Sequence, residues 1–463
     1  MGRDRTTERG VARDEAFKGV REMHKGRVVS AVIGLALAGL AGGLLVAAPE
    51  AGAIQKNQGQ AQAQGSYQDG NVLAGFTRGS GAAARRHAIE ARAGAAEAER
   101  LGAGAYLLHV RPGGVPAAVA SLRAEAGIRY AEPDYLMESA AVPNDPSFGQ
   151  QWGLQNTGQT VNGTKGTAGA DIHAPAAWNL ATDSHSVVVA EVDSGIDYNH
   201  ADLAGSVWSN PGGIGGCAAG THGFNVVAGN CSPLDDFGHG TQVAGVLGAV
   251  GDNGTGIAGV AWRTTILPVK WTNSLGHGTT SRLLKALDRV LVAKAAGVNI
   301  RVVNDSPVFT GTGFSQALSD ELDKLATNNI LFVTAAGNNK NNNDTTPRYP
   351  CDYGKPNELC VGATDQRDQL ASFSNFGAAS VDLAAPGNNI FTTNLGGGYV
   401  INKGTSFAAP LVAGSAALVL SVQNMSATAL KADIVATVDP LPSLAGKVRS
   451  GGRLDLCNAL PGC

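Results

Sequence analysis

From about residue 141 onward, short apolar runs alternate with helical stretches: "VVVAEVD", a helix following His239, "TILPVKW", "SRLLKALDRVLVAKAAG", "IRVVND" and "ILFVTAAG". Strands that are apolar at nearly every position and separated by helices bury both of their faces. The alternation therefore restricts this region to α/β, a mostly parallel central sheet between two helical layers. Such sheets collect functional groups at the carboxyl ends of their strands. A second constraint is "INKGTSFAAPLVAGSAALVLS", residues 401–421, a helix built for burial with a lone serine, Ser406, at its entrance.

Composition narrows the partners. At 463 residues, 43% hydrophobic and 16% charged, the chain supports a sizeable core plus a smaller accessory region. A formal net charge of −3 gives no reason to expect nucleic acid or an acidic membrane surface as partner. The 63 glycines favour tight turns and close backbone approaches.

Residues 1–53 have the order of an export signal: Lys25 and Arg27, then "VVSAVIGLALAGLAGGLLVAA", then the small residues Ala51-Gly52-Ala53. The expected location is secreted and extracellular, with an uncleaved membrane anchor as the alternative, since the apolar run is about as long as a membrane span. Residues 54–70 are Gln- and Gly-rich and are expected to be a flexible linker. Residues 71–140 suggest a small α+β module: an Ala- and Arg-rich helical stretch near 82–100, a strand at "AYLLHV", a helix at "VPAAVASLRAEAG" and a strand at "IRYAEPDYLM". On its own this module could be an independent binding domain.

All six cysteines lie beyond the signal, as three close pairs in sequence, and an even number in an exported chain suggests disulfides. The expected pairs are sequential: Cys217 with Cys231, Cys351 with Cys360, and Cys457 with Cys463. A zinc site of Cys217, His222, Cys231 and His239 is the alternative, although its spacing fits no regular finger.

Four residues at strand ends and helix starts have complementary chemistry. Asp193 ends "VVVAEVD", His239 opens a helix between glycines, Asn338 follows "VTAAG", and Ser406 opens the 407–421 helix. A serine hydroxyl needs a base such as His239 to take its proton. The imidazole needs a carboxylate such as Asp193 on its other nitrogen. The oxyanion formed by attack on a carbonyl needs donors, here the Ser406 backbone N–H in the first helical turn and the Asn338 amide. A helix cap for Ser406 and ordinary structural roles for the others are the plainer readings.

In this order, "DSGID", "GHGTQVAG" and "GTSFAAPLVAG" resemble the three signature segments of subtilisin-like serine proteases, and "AAGN" resembles their oxyanion segment. The similarity spans about 143 to 455 and implies the three-layer subtilisin-like fold in a catalytic domain of residues 141–463, with Asp193, His239 and Ser406 catalytic and Asn338 in the oxyanion hole. "YLLHVRPG" and "GIRYAEPDYLMESA" resemble the inhibitory prodomain of these proteases, which implies a zymogen that cuts itself between Glu138 and Pro143. Protein and peptide substrates and the chain's own prodomain as inhibitor follow from the same resemblance; a monomeric state is expected, although no motif speaks to oligomeric state. A non-catalytic or tightly regulated binding member of the fold is the alternative.

The resemblance also implies a structural calcium ion. "GDNGTGIAGVA" is similar to the family's calcium loop, with Asn253 offering a side-chain oxygen and Thr255 and Ile257 carbonyls, while Asp145 and Asp202 match the carboxylate ligands. The plainer reading of Asp252 and Asn253 is a surface turn.

Departures from the family pattern bear on specificity. Gln242, Phe407 and Leu411 stand where a histidine, a methionine and a histidine are common. Ser306, Pro307 and Val308, followed by Phe309, occupy the strand that pairs with substrate, where relatives carry flexible residues; a proline there lacks an amide donor. Ala336, Gly337 and Arg348 are expected at the S1 pocket. Arg348 on its floor would favour acidic P1 residues through a charge-assisted pair; its plainer placement is toward solvent.

Overall fold

A computed structural model describes residues 67–77, 87, 91–92, 94–101, 104–135, 141–306 and 313–463. The expected signal, most of the linker, Glu138 at the expected maturation boundary, and Pro307, Val308 and Phe309 lie outside the described residues.

The N-terminal module is a four-stranded antiparallel sheet in the order β2-β3-β1-β4, formed by β1 (Tyr67–Phe76), β2 (Ala95–Arg100), β3 (Ala105–Val110) and β4 (Ile128–Tyr135). Helix α1 (Val115–Arg123) lies against it and buries Val115, Ala118, Val119 and Leu122 on Val72, Ala74, Leu108 and Ala131. The apolar positions of α1 recur at helical spacing, which is what gives it one buried face. Two expectations are corrected here. Residues 67–70, expected in the linker, begin β1; and 95–100, expected to be helical, form β2, because pairing with the open edge of β3 outweighs the helix preference of "AAEAER".

The second region begins with a small hairpin, β5 (Thr160–Val161) and β6 (Thr164–Lys165), and the short helix α2 (Ala174–Trp178). Its sheet strands are β7 (Asp183–Asp193), β8 (Phe224–Asn225), β9 (Arg263–Lys270), β10 (Ile300–Asp305), β11 (Leu331–Ala335), β12 (Glu358–Thr364) and β13 (Leu383–Pro386). Among them lie α3 (His239–Gly248), α4 (Thr280–Ala295) and α5 (Gln316–Thr327). A hairpin of β14 (Ile390–Asn394) and β15 (Gly398–Asn402) leads into α6 (Thr405–Val422), followed by α7 (Ala427–Ala436), β16 (Asp439–Pro440) and β17 (Gly452–Arg453). The nine-stranded sheet runs β16-β17-β13-β12-β11-β10-β7-β9-β8, parallel throughout except for the β16/β17 pair. This is the expected three-layer α/β arrangement.

Alternation along each strand divides the core into two layers. Val187 and Val189 of β7, Val302 of β10 and Val333 of β11 pack with α6 on one face. Val188, Ala190 and Val192, with Val303 and Phe332, pack with Leu283, Leu287 and Val290 of α4 and Leu322 of α5 on the other. Helix α6 is buried from Thr405 to Leu420 and is long and apolar enough to span a membrane, yet it is a core helix with 89% of its most apolar window inside the protein.

The disulfides join Cys217 to Cys231, Cys351 to Cys360 and Cys457 to Cys463, the sequential pairing expected. With both sulfurs consumed in the first bond, Cys217 and Cys231 have no thiolate to offer zinc.

Candidate active site

Strands β7, β10 and β11 are parallel neighbours, so the residues following them share one edge of the sheet. Asp193 is the last residue of β7 and is 1% exposed. The Ser194 N–H donates to its Oδ1 at 2.7 Å, and His239 Nδ1 lies 2.9 and 2.8 Å from its two oxygens. A carboxylate accepts only, so Nδ1 carries the hydrogen and Nε2 is left as the basic nitrogen. Burial alone lowers the proton affinity of His239, but the charge and hydrogen bond of Asp193, with help from Asp235, overcome it and raise the imidazole above its ordinary value.

The start of α3 is set by contacts that sequence reasoning did not single out. Asp235 Oδ1 accepts from the N–H groups of Phe237 and Gly238 and from Ser194 Oγ, and its Oδ2 accepts from Thr241 N and Oγ1. Ser194 Oγ in turn accepts from Gly240 N at 2.9 Å. These bonds tie the first turn of α3 to the end of β7 and so fix His239 over Asp193. A Cβ at Gly240 would lie 2.1 Å from the Gly195 carbonyl oxygen, so only glycine permits this approach.

Ser406 is the second residue of α6 and is 4% exposed. The ring of the next residue, Phe407, is 6.0 Å from that of His239, which sets the α6 N-terminus beside the imidazole. Asn338 follows β11, and its Oδ1 accepts from Thr405 N at 2.8 Å and Thr405 Oγ1 at 3.0 Å, while Thr405 Oγ1 accepts from Gly337 N at 3.1 Å. Thr405, also not anticipated, thereby turns the Asn338 NH₂ toward Gly404. A Cβ on Gly404 would sit 3.4 Å from Asn338 Nδ2 and 3.6 Å from Ser406 N. Glycine there leaves open the space between two donors, a geometry suited to a developing oxyanion.

Of the expected substrate-binding residues, Ser306 is buried at the end of β10 and accepts from Asn304 Nδ2 at 2.8 Å. Ala336 is buried and Gly337 adopts φ 113°, both just past β11. Arg348 is half-buried beside the cis Tyr349-Pro350 bond, and with the Asn341 amide turned so that its oxygen faces the guanidinium, Nε donates to that oxygen at 3.1 Å. Gln242, at a departure from the family pattern, donates to Asn394 Oδ1 at 3.0 Å and accepts from Asn402 Nδ2 at 2.8 Å, tying α3 to the β14/β15 hairpin.

The expected calcium ligands converge in part. Asp202 is fully buried; its Oδ1 accepts from Asn253 Nδ2, and its Oδ2 from Ile257 N and the Tyr399 hydroxyl. Asp145 Oδ2 accepts from Asp252 N at 2.7 Å, whereas its Oδ1 is buried with no partner. Burial first, and then the like charge of Asp202, push the Asp145 carboxyl up. Asn253 Oδ1 accepts from Thr255 N at 2.6 Å, so this side-chain oxygen is engaged in the loop itself. Among the described residues no group of three or more His, Cys, Asp or Glu is placed to hold a metal. The unpaired Asp145 oxygen beside a second carboxylate, in an all-oxygen donor set, nonetheless has the chemistry of a hard-cation site.

Comparison with known proteins gives the family. Residues 184–452 match the subtilase family, and residues 53–134 match the fervidolysin N-terminal prodomain. The chain is 32% identical over 398 residues to a thermophilic serine proteinase of Bacillus sp. (strain AK1), covering 86% of this chain and 88% of that one. It is 35% identical over 320 residues to thermitase of Thermoactinomyces vulgaris, covering 69% and 99% respectively. The fold is shared with a solved protease from Pseudoalteromonas arctica PAMC 21717, at a TM-score of 0.58 and 24% identity over 69% of this chain and 99% of that one. The chain belongs to the subtilase family and is a subtilisin-like serine protease.

Proposed function

We propose that the protein is a secreted serine endopeptidase made as a zymogen, acting on proteins and peptides as a monomer. The hydrogen bond of His239 Nδ1 to the Asp193 carboxylate, beside the Ser406 helix, is the observation that carries the reading. Ser406 Oγ attacks the scissile carbonyl carbon while His239 Nε2 takes its proton. The oxyanion is met by Ser406 N–H and Asn338 Nδ2–H; the proton on His239 then passes to the leaving amine as the C–N bond breaks. Water, deprotonated by the same imidazole, hydrolyses the acyl-enzyme. Asp193 holds the imidazole's tautomer and stabilises its cation. The N-terminal module, matched by a prodomain family, acts as the intramolecular inhibitor until the chain cuts itself between Glu138 and Pro143.

Subtilases commonly bind calcium. Here Asp145 and Asp202, with the carbonyls of Thr255 and Ile257 and a reoriented Asn253 amide, would hold the ion, whose charge would offset the two buried carboxylates and fasten the mature N-terminal segment to the 252–257 loop. An Arg348 guanidinium released from Asn341 would add a preference for acidic P1 residues through a charge-assisted pair, whereas one that stays turned to solvent would add none.

A serine-directed sulfonyl fluoride tests the catalytic assignment. Mass mapping of the treated protein is expected to find the adduct on the peptide containing Ser406 and to find none in a His239→Ala variant. Labelling elsewhere, or equal labelling of both proteins, would overturn it.

A further inference from the structure

Beneath the proposed triad lies a carboxyl group that the reaction does not use. Glu191 is two residues before Asp193 on β7 and 1% exposed. It shares a face with Val189, so it points to the side covered by α6. Its register partner on β10 is Asn304, fully buried, whose Nδ2 donates to Glu191 Oε2 at 3.1 Å and to Ser306 Oγ at 2.8 Å. The remaining oxygens of this bonded pair, Glu191 Oε1 and Asn304 Oδ1, are both buried and both without a partner. Two acceptors cannot satisfy each other, and buried polar atoms are seldom left unpaired. One proton on Oε1 removes both vacancies, because an acid and a primary amide can then close a two-bond ring.

We propose that Glu191 is a positioning residue, a neutral carboxylic acid whose ring with Asn304 orients Ser306 of the substrate strand and leaves Asp193 as the charge that His239 answers. This rests on the proposed roles of Asp193 and Ser306. The charged and titratable surroundings favour the neutral form. Asp193 lies two residues on along the same face of β7, and Asp305 of β10 and Asp235 add two further carboxyls. On the neighbouring strand β9, Lys270, the register partner of Asp193, is committed to the Ser194 carbonyl and Asp236, while α6 contributes no titratable group. Burial first, and then the Asp193 charge, raise the Glu191 carboxyl well above the ordinary glutamate value of 4.5.

The sign of the linkage gives a test that does not need activity. A carboxyl raised in the folded state stabilises fully below its free value and loses that contribution as pH rises through the folded one. In the full chain carrying Ser406→Ala, melting temperatures with and without Glu191→Gln are expected to diverge in favour of Gln as pH rises from 4.5. A difference constant across pH would overturn the neutral acid. In the active protein, Glu191→Gln, which preserves the ring, is expected to keep kcat/KM within about twofold and to lose an alkaline limb present in wild type, whereas Glu191→Ala loses about tenfold or more. Equal kinetics and equal pH profiles for Gln and Ala would overturn the positioning role. An inactive wild type would refute the protease reading while leaving the melting comparison intact.

Discussion

The N-terminal module and the second region solve the burial problem on different scales. Among the described residues, the module covers one face of a four-stranded sheet with helix α1 and has a small apolar cluster around Leu108 and Leu122. The second region covers both faces of its nine-stranded sheet and contains all three disulfides. Fraction buried rises with size, so the module sits nearer the margin of stability and the second region well inside it. This asymmetry suits the proposed zymogen, in which proteolysis removes a weakly built module and leaves the larger sheet with the proposed triad at its strand ends.

The sharpest separation of the two regions is catalytic. Asp193→Asn keeps the fold and hydrogen-bonding shape but favours the wrong imidazole tautomer, so kcat on a chromogenic peptide is expected to fall about 10⁴-fold. Since the module contributes no catalytic group, the same variant should retain it uncut. Asn338→Ala comes next, with an expected loss of about 10²–10³ in kcat and little change in KM.

Stability variants test the asymmetry itself. Leu108→Ala in the module and Leu418→Ala in α6 each remove a fully buried side chain and are each expected to cost about 2–5 kcal/mol. In the full chain the first should abolish the module's protection from added protease, and the second should lower the melting temperature of the second region without unfolding it. Equal tolerance in both would contradict the difference in margin. Reduction of the disulfides, which close segments with separations of 14, 9 and 6 residues, should shift only the second region's melting transition. Each bond contributes about 2–3 kcal/mol in the chain-entropy account. Chelation of the calcium proposed at Asp145 and Asp202 should likewise lower that transition alone.

The smallest expected effect is on pH. The His239 imidazole is raised, chiefly by Asp193 working against burial, so the stability it adds is complete below 6.5 and declines as pH passes the folded value. Its role as base runs the other way, because only the neutral ring accepts a proton. The acid limb of kcat/KM is thus expected to have a midpoint above 6.5, and a midpoint below that value would contradict the assigned partner.

Much of the second region is readable from residue order because its physics is local. Apolar strands announce a doubly covered sheet, and strand ends and helix starts mark where Asp193, His239, Asn338 and Ser406 fall. What escaped reading depends on tertiary contacts. Asp235 matters because it reaches Ser194 and the first turn of α3, and Thr405 because it reaches Asn338, 67 residues away in sequence. β2 escaped because its alternative partner, the edge of β3, exists only after folding. Glu191 and Asn304 did leave a trace, as polar residues next to the apolar runs 187–190 and 302–303, a pattern that deserves suspicion wherever both faces of a sheet are covered.

The central claim, a self-maturing serine endopeptidase, is tested most directly by N-terminal sequencing and intact mass of the purified secreted protein, wild type beside Ser406→Ala, each then assayed on casein. Wild type is expected to begin between Glu138 and Pro143 and to digest casein, while Ser406→Ala retains the N-terminal module and does not. If both proteins retain the module and neither digests casein, the claim is contradicted.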